Sequence, residues 1–228
     1  MKHTINRTLY QYWDELRGSR IAPNRSEIDP GRIRTLLGDT FILEAIDKDT
    51  YRYRLAGTRL CSTHCRELKS RNFLRGWGDQ DREAMATMLA AITEDGAAAV
   101  LGIDGHTERN HVLKMEMLLL PLQVPGEGRS RILGACAYFE RPYWLGLHPI
   151  LNQSISSLRL IWPDERPHFI ASSNESRSPV PMMPRTNPMT GHISGHMAGS
   201  FEGTIVPPAL MSAARQVRHL TVIDGGKA

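Results

Sequence analysis

The chain has 228 residues, 41% of them hydrophobic and 23% charged, with 28 basic against 24 acidic side chains and a formal charge of +4. That length and composition bound it to one domain with a single good core, plus extensions. The arginines stand singly (Arg7, Arg17, Arg20, Arg25, Arg32, Arg34, Arg52, Arg54), and no recognition-helix, zinc-finger or aromatic RNA-binding signature accompanies them, so nucleic acid is not an expected partner.

In chain order, Leu9, Tyr12, Trp13 and Leu16 recur at helical spacing and predict an amphipathic helix over 7–17, ended by Gly18. Asp29 as N-cap, Pro30 at the first helical position and the stripe Ile33, Leu36, Leu37 predict a second short helix before Gly38. These apolar stripes must bury on the domain's own sheet or on a second copy of the chain. DTFILEAI (39–46) and YRYRLA (51–56), joined by the polar turn DKDT, predict a β-hairpin whose second strand buries Tyr51, Tyr53 and Leu55. Helical material follows over 58–95, its clearest part capped by Asp79, striped by Met85, Met88, Leu89 and Ile92, and stopped at Gly96. Strands are expected at 97–104, 111–124 and 131–140, with turns at Asp104-Gly105 and PGEGRS (125–130). Two strands, a helical insertion and three strands predict an α+β fold: a five-stranded antiparallel sheet with helices over one face. The expected divisions are an N-terminal helical extension (1–38), the sheet domain (39–145) and a C-terminal extension (146–228).

The last third changes character. Eight of the fourteen prolines fall between Pro163 and Pro208, among SSNESRS and GHISGHMAGS, which predicts a linker or disordered arm. LNQSISSLRLIW before it can supply a further strand. Pro207-Pro208 can start a short helix through Val217, and HLTVID is a terminal strand suited to docking on a sheet edge, its own or a partner's.

Candidate chemistry is sparse. Cys61, His64 and Cys65 supply three soft ligands on one short helix where a structural zinc site takes four, so two small buried thiols beside a surface histidine is the preferred interpretation. His192 and His196 share the i,i+4 spacing of a metal pair, but glycines at 191, 195 and 199 argue against a helix to present them. Met115, Met117, Cys136 and Tyr138, with Leu55 and Leu60, would make a soft lining for a small apolar ligand between sheet and helices, ordinary core being the competing interpretation. No GxSxG, HExxH or phosphate loop is present, so no enzyme is expected. MKHTINRTLYQYWDEL lacks the apolar core of a signal peptide and no run approaches the roughly 18 apolar residues of a membrane span. With three cysteines, an odd number, a reducing compartment fits, and the chain is expected in the cytoplasm, away from membrane.

The phrases YWDELRG (12–18), RSEIDP (25–30), YRYRLAGTRLC (51–61), REL (66–68) and HLTVIDGG (219–226), with the strand order over 39–140, resemble an alphaproteobacterial PAS subfamily long listed as a domain of unknown function. The resemblance implies sensing or protein contact through sheet and flanking helices, while fold alone does not give function. No flavin-type cysteine motif or axial haem histidine aligns, so no cofactor is expected. The chain is therefore expected to be a non-catalytic regulatory module acting on protein partners, a homodimer with Tyr12, Trp13 and Leu16 at the interface. A small-molecule sensor is the first alternative and a basic nucleic-acid binder the second.

Overall fold

The structure, a computed structural model, describes residues 1–165 and the short stretches 215–217 and 220–222. The chain forms two units, Met1–Ser176 and Arg177–Ala228. The first is built on a six-stranded antiparallel sheet. Its strands are β1 (Thr40–Asp47), β2 (Thr50–Ala56), β3 (Ala98–Thr107), β4 (Val112–Val124), β5 (Gly128–Tyr138) and β6 (Ile150–Ile161), in the order β2-β1-β5-β4-β3-β6. The expected count was five. LNQSISSLRLIW adds the sixth along the whole length of β3, and the sheet thereby continues past residue 145.

Helices α1 (Thr4–Arg17), α2 (Thr58–Thr63) and α3 (Asp79–Glu94) cover the two faces. The apolar run MLLLPL in β4 lacks clean alternation because both faces of this central strand are buried. On the inner face lie Phe41, Leu43, Tyr53, Met115, Met117 and Leu119, together with Met85, Met88, Leu89 and Ile92 of α3. Asp79 stands at the first helical position and Gly78 takes the cap, one residue from expectation.

The outer face belongs to α1. Leu9, Tyr10, Tyr12 and Trp13 share one core cluster with Val100, Leu118, Leu120, Leu122 and Leu133 of the sheet. Polar contacts at three points fix the helix along its length. The Glu116 carboxylate, buried on this face, accepts from the backbone N–H of Lys2 (2.6 Å) and His3 (2.9 Å) and from Asn6 Nδ2 (3.1 Å) at the helix start. Trp13 Nε1 donates to the Pro121 carbonyl at 2.9 Å, and Arg17 Nη1 reaches the Pro163 carbonyl at 3.0 Å. An anionic oxygen on free N–H groups at a helix start is favoured by charge-assisted hydrogen bonding and by the helix dipole. Glu116→Ala should therefore cost about 2 kcal/mol in urea unfolding, since each bond to a charged acceptor is worth roughly 1.5–3 kcal/mol and one donor is left buried. Glu116→Gln, which keeps one acceptor, should cost less.

Three local expectations change. The segment after Asp29 is not an α-helix. It is a run of i to i+3 turns (Arg32 to Asp29, Ile33 to Pro30, Leu36 to Ile33) ending in a 3₁₀ turn at Leu37–Asp39. So short a stretch gains too few bonds to nucleate an α-helix, yet the turns still bury Ile33 and Leu36. Asp104-Gly105 is not a turn but lies within β3. There a Cβ on Gly105 would come within 2.8 Å of Met115 Cε, so the glycine serves close packing, and the chain reverses instead near Asn110 at φ +59°. In the second unit, β7 (Arg215–Val217) pairs antiparallel with β8 (Leu220–Val222), so strand replaces the end of the helix expected through Val217, where each segment supplies the other's ladder partner. His192, His196 and most of the proline-rich stretch lie outside the described residues.

Candidate functional site

Helix α2 starts where β2 ends, at Gly57, and is held at both ends. Arg59 Nε donates to Asp39 Oδ1 at 2.7 Å and its Nη2 pairs with Oδ2 of the same fully buried carboxylate. The Thr63 and Tyr138 hydroxyls lie 2.9 Å apart in a hydrogen bond, tying α2 to β5. After Thr63 the chain leaves the helix, with Cys65 at φ +48°. It then runs beside the outer edge of β2, where Tyr53 N donates to the Arg71 carbonyl (2.9 Å), Ser70 N to the Tyr53 carbonyl (2.8 Å) and Asn72 Nδ2 to the Asp49 carbonyl (2.9 Å). The 3₁₀ turn Phe73–Gly76 follows, and Gly78 N reaches the carbonyl of Gln153 in β6 at 3.3 Å. Residues 64–78 thus bridge the two opposite edges of one sheet.

Beneath that bridge Phe41, Tyr53, Phe73 and Trp77 form a chain of ring contacts with centroids 5.6–6.0 Å apart. Against that bridge lies a cleft of about 470 Å³, lined by Arg52, Tyr53, His64, Arg66, Arg71, Phe73, Arg75 and Gln153 among others. That volume lies in the range of small-molecule sites. At its floor His64, 6% exposed, is 3.0 Å from the Leu60 carbonyl through Nδ1, so Nδ1 carries the hydrogen and Nε2 is left as acceptor, 3.4 Å from Gln153 Nε2. Burial pushes the imidazole below its ordinary range, opposed by the Leu60 carbonyl and aided by the nearby Arg66 charge.

A depressed imidazole binds fewer protons folded than unfolded, so its contribution to stability is complete above the unfolded value of about 6.5 and is lost as pH falls through the lower folded value. Melting curves should show wild type losing stability below about pH 6.5 more steeply than His64→Asn, and parallel curves would contradict a buried neutral histidine.

The expected pocket residues come together only in part, and as core. Leu60, Met115, Met117, Cys136 and Tyr138 are all buried, with Cys136 Sγ 3.7 Å from Met115 Sδ, and burial pushes the Cys136 thiol up to about 12. Leu55 does not join them. A bulge at Arg54, between the pairs Ile42–Leu55 and Leu43–Tyr53, shifts the alternation by one residue and leaves Leu55 46% exposed. The expected interface also changes: Tyr12 and Trp13 are buried, and Leu16 partly so, against the chain's own sheet. The CSTHC segment is inverted, with His64 buried and Cys65 exposed, because the helix ends before Cys65 can continue its face. Among the described residues no three His, Cys, Asp or Glu side chains group as metal ligands, and no helix is long and apolar enough to cross a membrane. Sequence reasoning missed Arg66, Arg71, Arg75 and Gln153. The available signal was CRELKSRNFLRG, whose basic residues follow neither helical nor strand period.

The site is thus a cleft against the segment that joins the two edges of an antiparallel sheet. A family model described as a PAS domain matches residues 1–137, and the chain belongs to that family. Family membership makes a sensory or signalling module the coarse description of this protein. Among solved structures, the dark-state LOV domain of the blue-light photoreceptor Aureochrome1 is 13% identical, with a TM-score of 0.38 over 49% of this chain and 82% of that one. The PAS domain of an HTR-like protein from Haloarcula marismortui is 14% identical, with a TM-score of 0.34 over 48% of this chain and 90% of that one. No curated protein matches the chain.

Proposed function

We propose that this chain is a non-catalytic sensory module that takes a small molecule into the cleft under residues 64–78 and passes its bound state to a protein partner by direct contact. The observation that carries this is the lining: β2, the bridge and β6 all contribute, so one occupant touches both edges of the sheet at once. An occupant that favours one spacing of those edges shifts the population of that spacing, which a surface contact can transmit. The apolar stripe of α1 is consumed inside the chain, so the partner contact, whether with a second copy or another protein, uses other surface. Hydrogen–deuterium exchange of the full chain with the small-molecule fraction of a cell extract tests this. Slower exchange over 64–78 and around Gln153 is expected, and unchanged exchange across both would overturn it.

A further inference from the structure

The chemistry of the cleft says what it holds. Arg52, Arg66, Arg71 and Arg75 all line it, whereas no aspartate or glutamate does. Among the described residues none of the four has an ion-pair partner, although eight pairs form elsewhere in the chain, several with arginine on equally exposed surface. Arg71 alone is steered within the site, its Nε donating to the Glu67 carbonyl at 2.9 Å. Four like charges on one concavity repel one another unless something neutralises them, and guanidinium forks match carboxylate and phosphoryl oxygens in pairs. Here the floor is Gln153, 5% exposed, whose Oε1 and second amide hydrogen are not used by the contact to His64.

We infer that the cleft is a binding site for a small organic oxyanion carrying at least two negative charges, held by Arg52, Arg66 and Arg75 at the rim and oriented by Gln153 at the floor. The volume exceeds what a lone inorganic phosphate fills, so the charged group is carried on a larger molecule. This rests on the sensory interpretation of the same cleft, narrowing its ligand to one charge class.

Calorimetric titration of the full chain at constant ionic strength tests it, with succinate as the carboxylate arm, pyrophosphate as the phosphoryl arm and sodium chloride as control. Saturable one-site binding of either dianion but not chloride is expected, and the stronger arm identifies the source. Arg66→Gln and Arg75→Gln, both exposed and away from the core, should each weaken it about tenfold or more with melting temperature unchanged, one charge-assisted contact being lost. Arg54→Gln, on the same strand as Arg52 but outside the lining, should leave binding as it is. If neither dianion saturates, or all three variants weaken binding alike, the oxyanion assignment fails. If extract still protects 64–78 from exchange in that case, the cleft takes a neutral ligand and the sensory interpretation stands. If protection is lost too, both fall.

Discussion

Trp13→Ala is expected to destabilise the chain by about 3–5 kcal/mol, the range for removing a fully buried large aromatic side chain. The indole is 2% exposed, donates to the Pro121 carbonyl at 2.9 Å, lies 5.7 Å from the Tyr10 ring and has the Arg17 guanidinium 5.1 Å above it. Truncation opens a cavity over Leu118, Leu120 and Leu122 and removes the donor of a buried hydrogen bond. The measurement is urea unfolding at neutral pH, and the direction distinguishes two roles. A side chain serving an interface between copies would change molecular mass with little loss of monomer stability. A side chain serving the chain's own core lowers the unfolding midpoint at every protein concentration, which is the outcome expected here.

Gly57→Ala should cost about 3 kcal/mol, at the upper end for overpacking, although φ at this position is −68° and suits any residue. The obstacle is space. A Cβ there would stand 2.2 Å from the Leu37 carbonyl oxygen and 2.3 Å from that of Gly38, both backbone atoms of the 3₁₀ turn that feeds β1. Neither can swing aside as a side-chain end would, because the Gly57 N–H is itself bonded to the Thr40 carbonyl at 2.8 Å. Relief requires α2 to withdraw from the turn, which strains the Arg59–Asp39 pair and lifts His64 from the cleft floor. The variant should therefore melt lower and also lose ligand-dependent protection over 64–78, whereas an unaltered melting temperature would mean the two segments are not in contact.

Much of the architecture was legible because period and punctuation agree along most of the chain. The stripes at Leu9–Leu16 and Met85–Ile92, the hairpin of β1 and β2, and the last three strands of the expected five fall within a few residues of their predicted places. Where reading failed, non-local packing had overruled the local signal. Gly105 looks like a turn residue and serves instead to admit Met115. Leu55 follows the alternation of Tyr51 and Tyr53 until a bulge, invisible in composition, reverses it. The sixth strand was legible as a strand but not as a neighbour of β3, since register and partner are decided across the sheet.

The site was less legible than the fold. Soft side chains on adjacent strands suggested a lining, and they pack on one another as interior. The cleft depends on residues 52, 66, 71, 75 and 153, separated along the chain and brought together by a bridge without regular structure. Its basic character was visible in CRELKSRNFLRG, but its concavity was not, because that depends on how residues 64–78 seat against β2 and β6.

The most direct test of the cleft as ligand site is an ¹⁵N NMR titration of the full chain with the small-molecule fraction of a cell extract, following the Gln153 side-chain amide and the backbone amides of 64–78. Saturable shifts at those positions, with the α1 face of the sheet unmoved, are predicted. Shifts confined to the α1 face, or none anywhere, would contradict it.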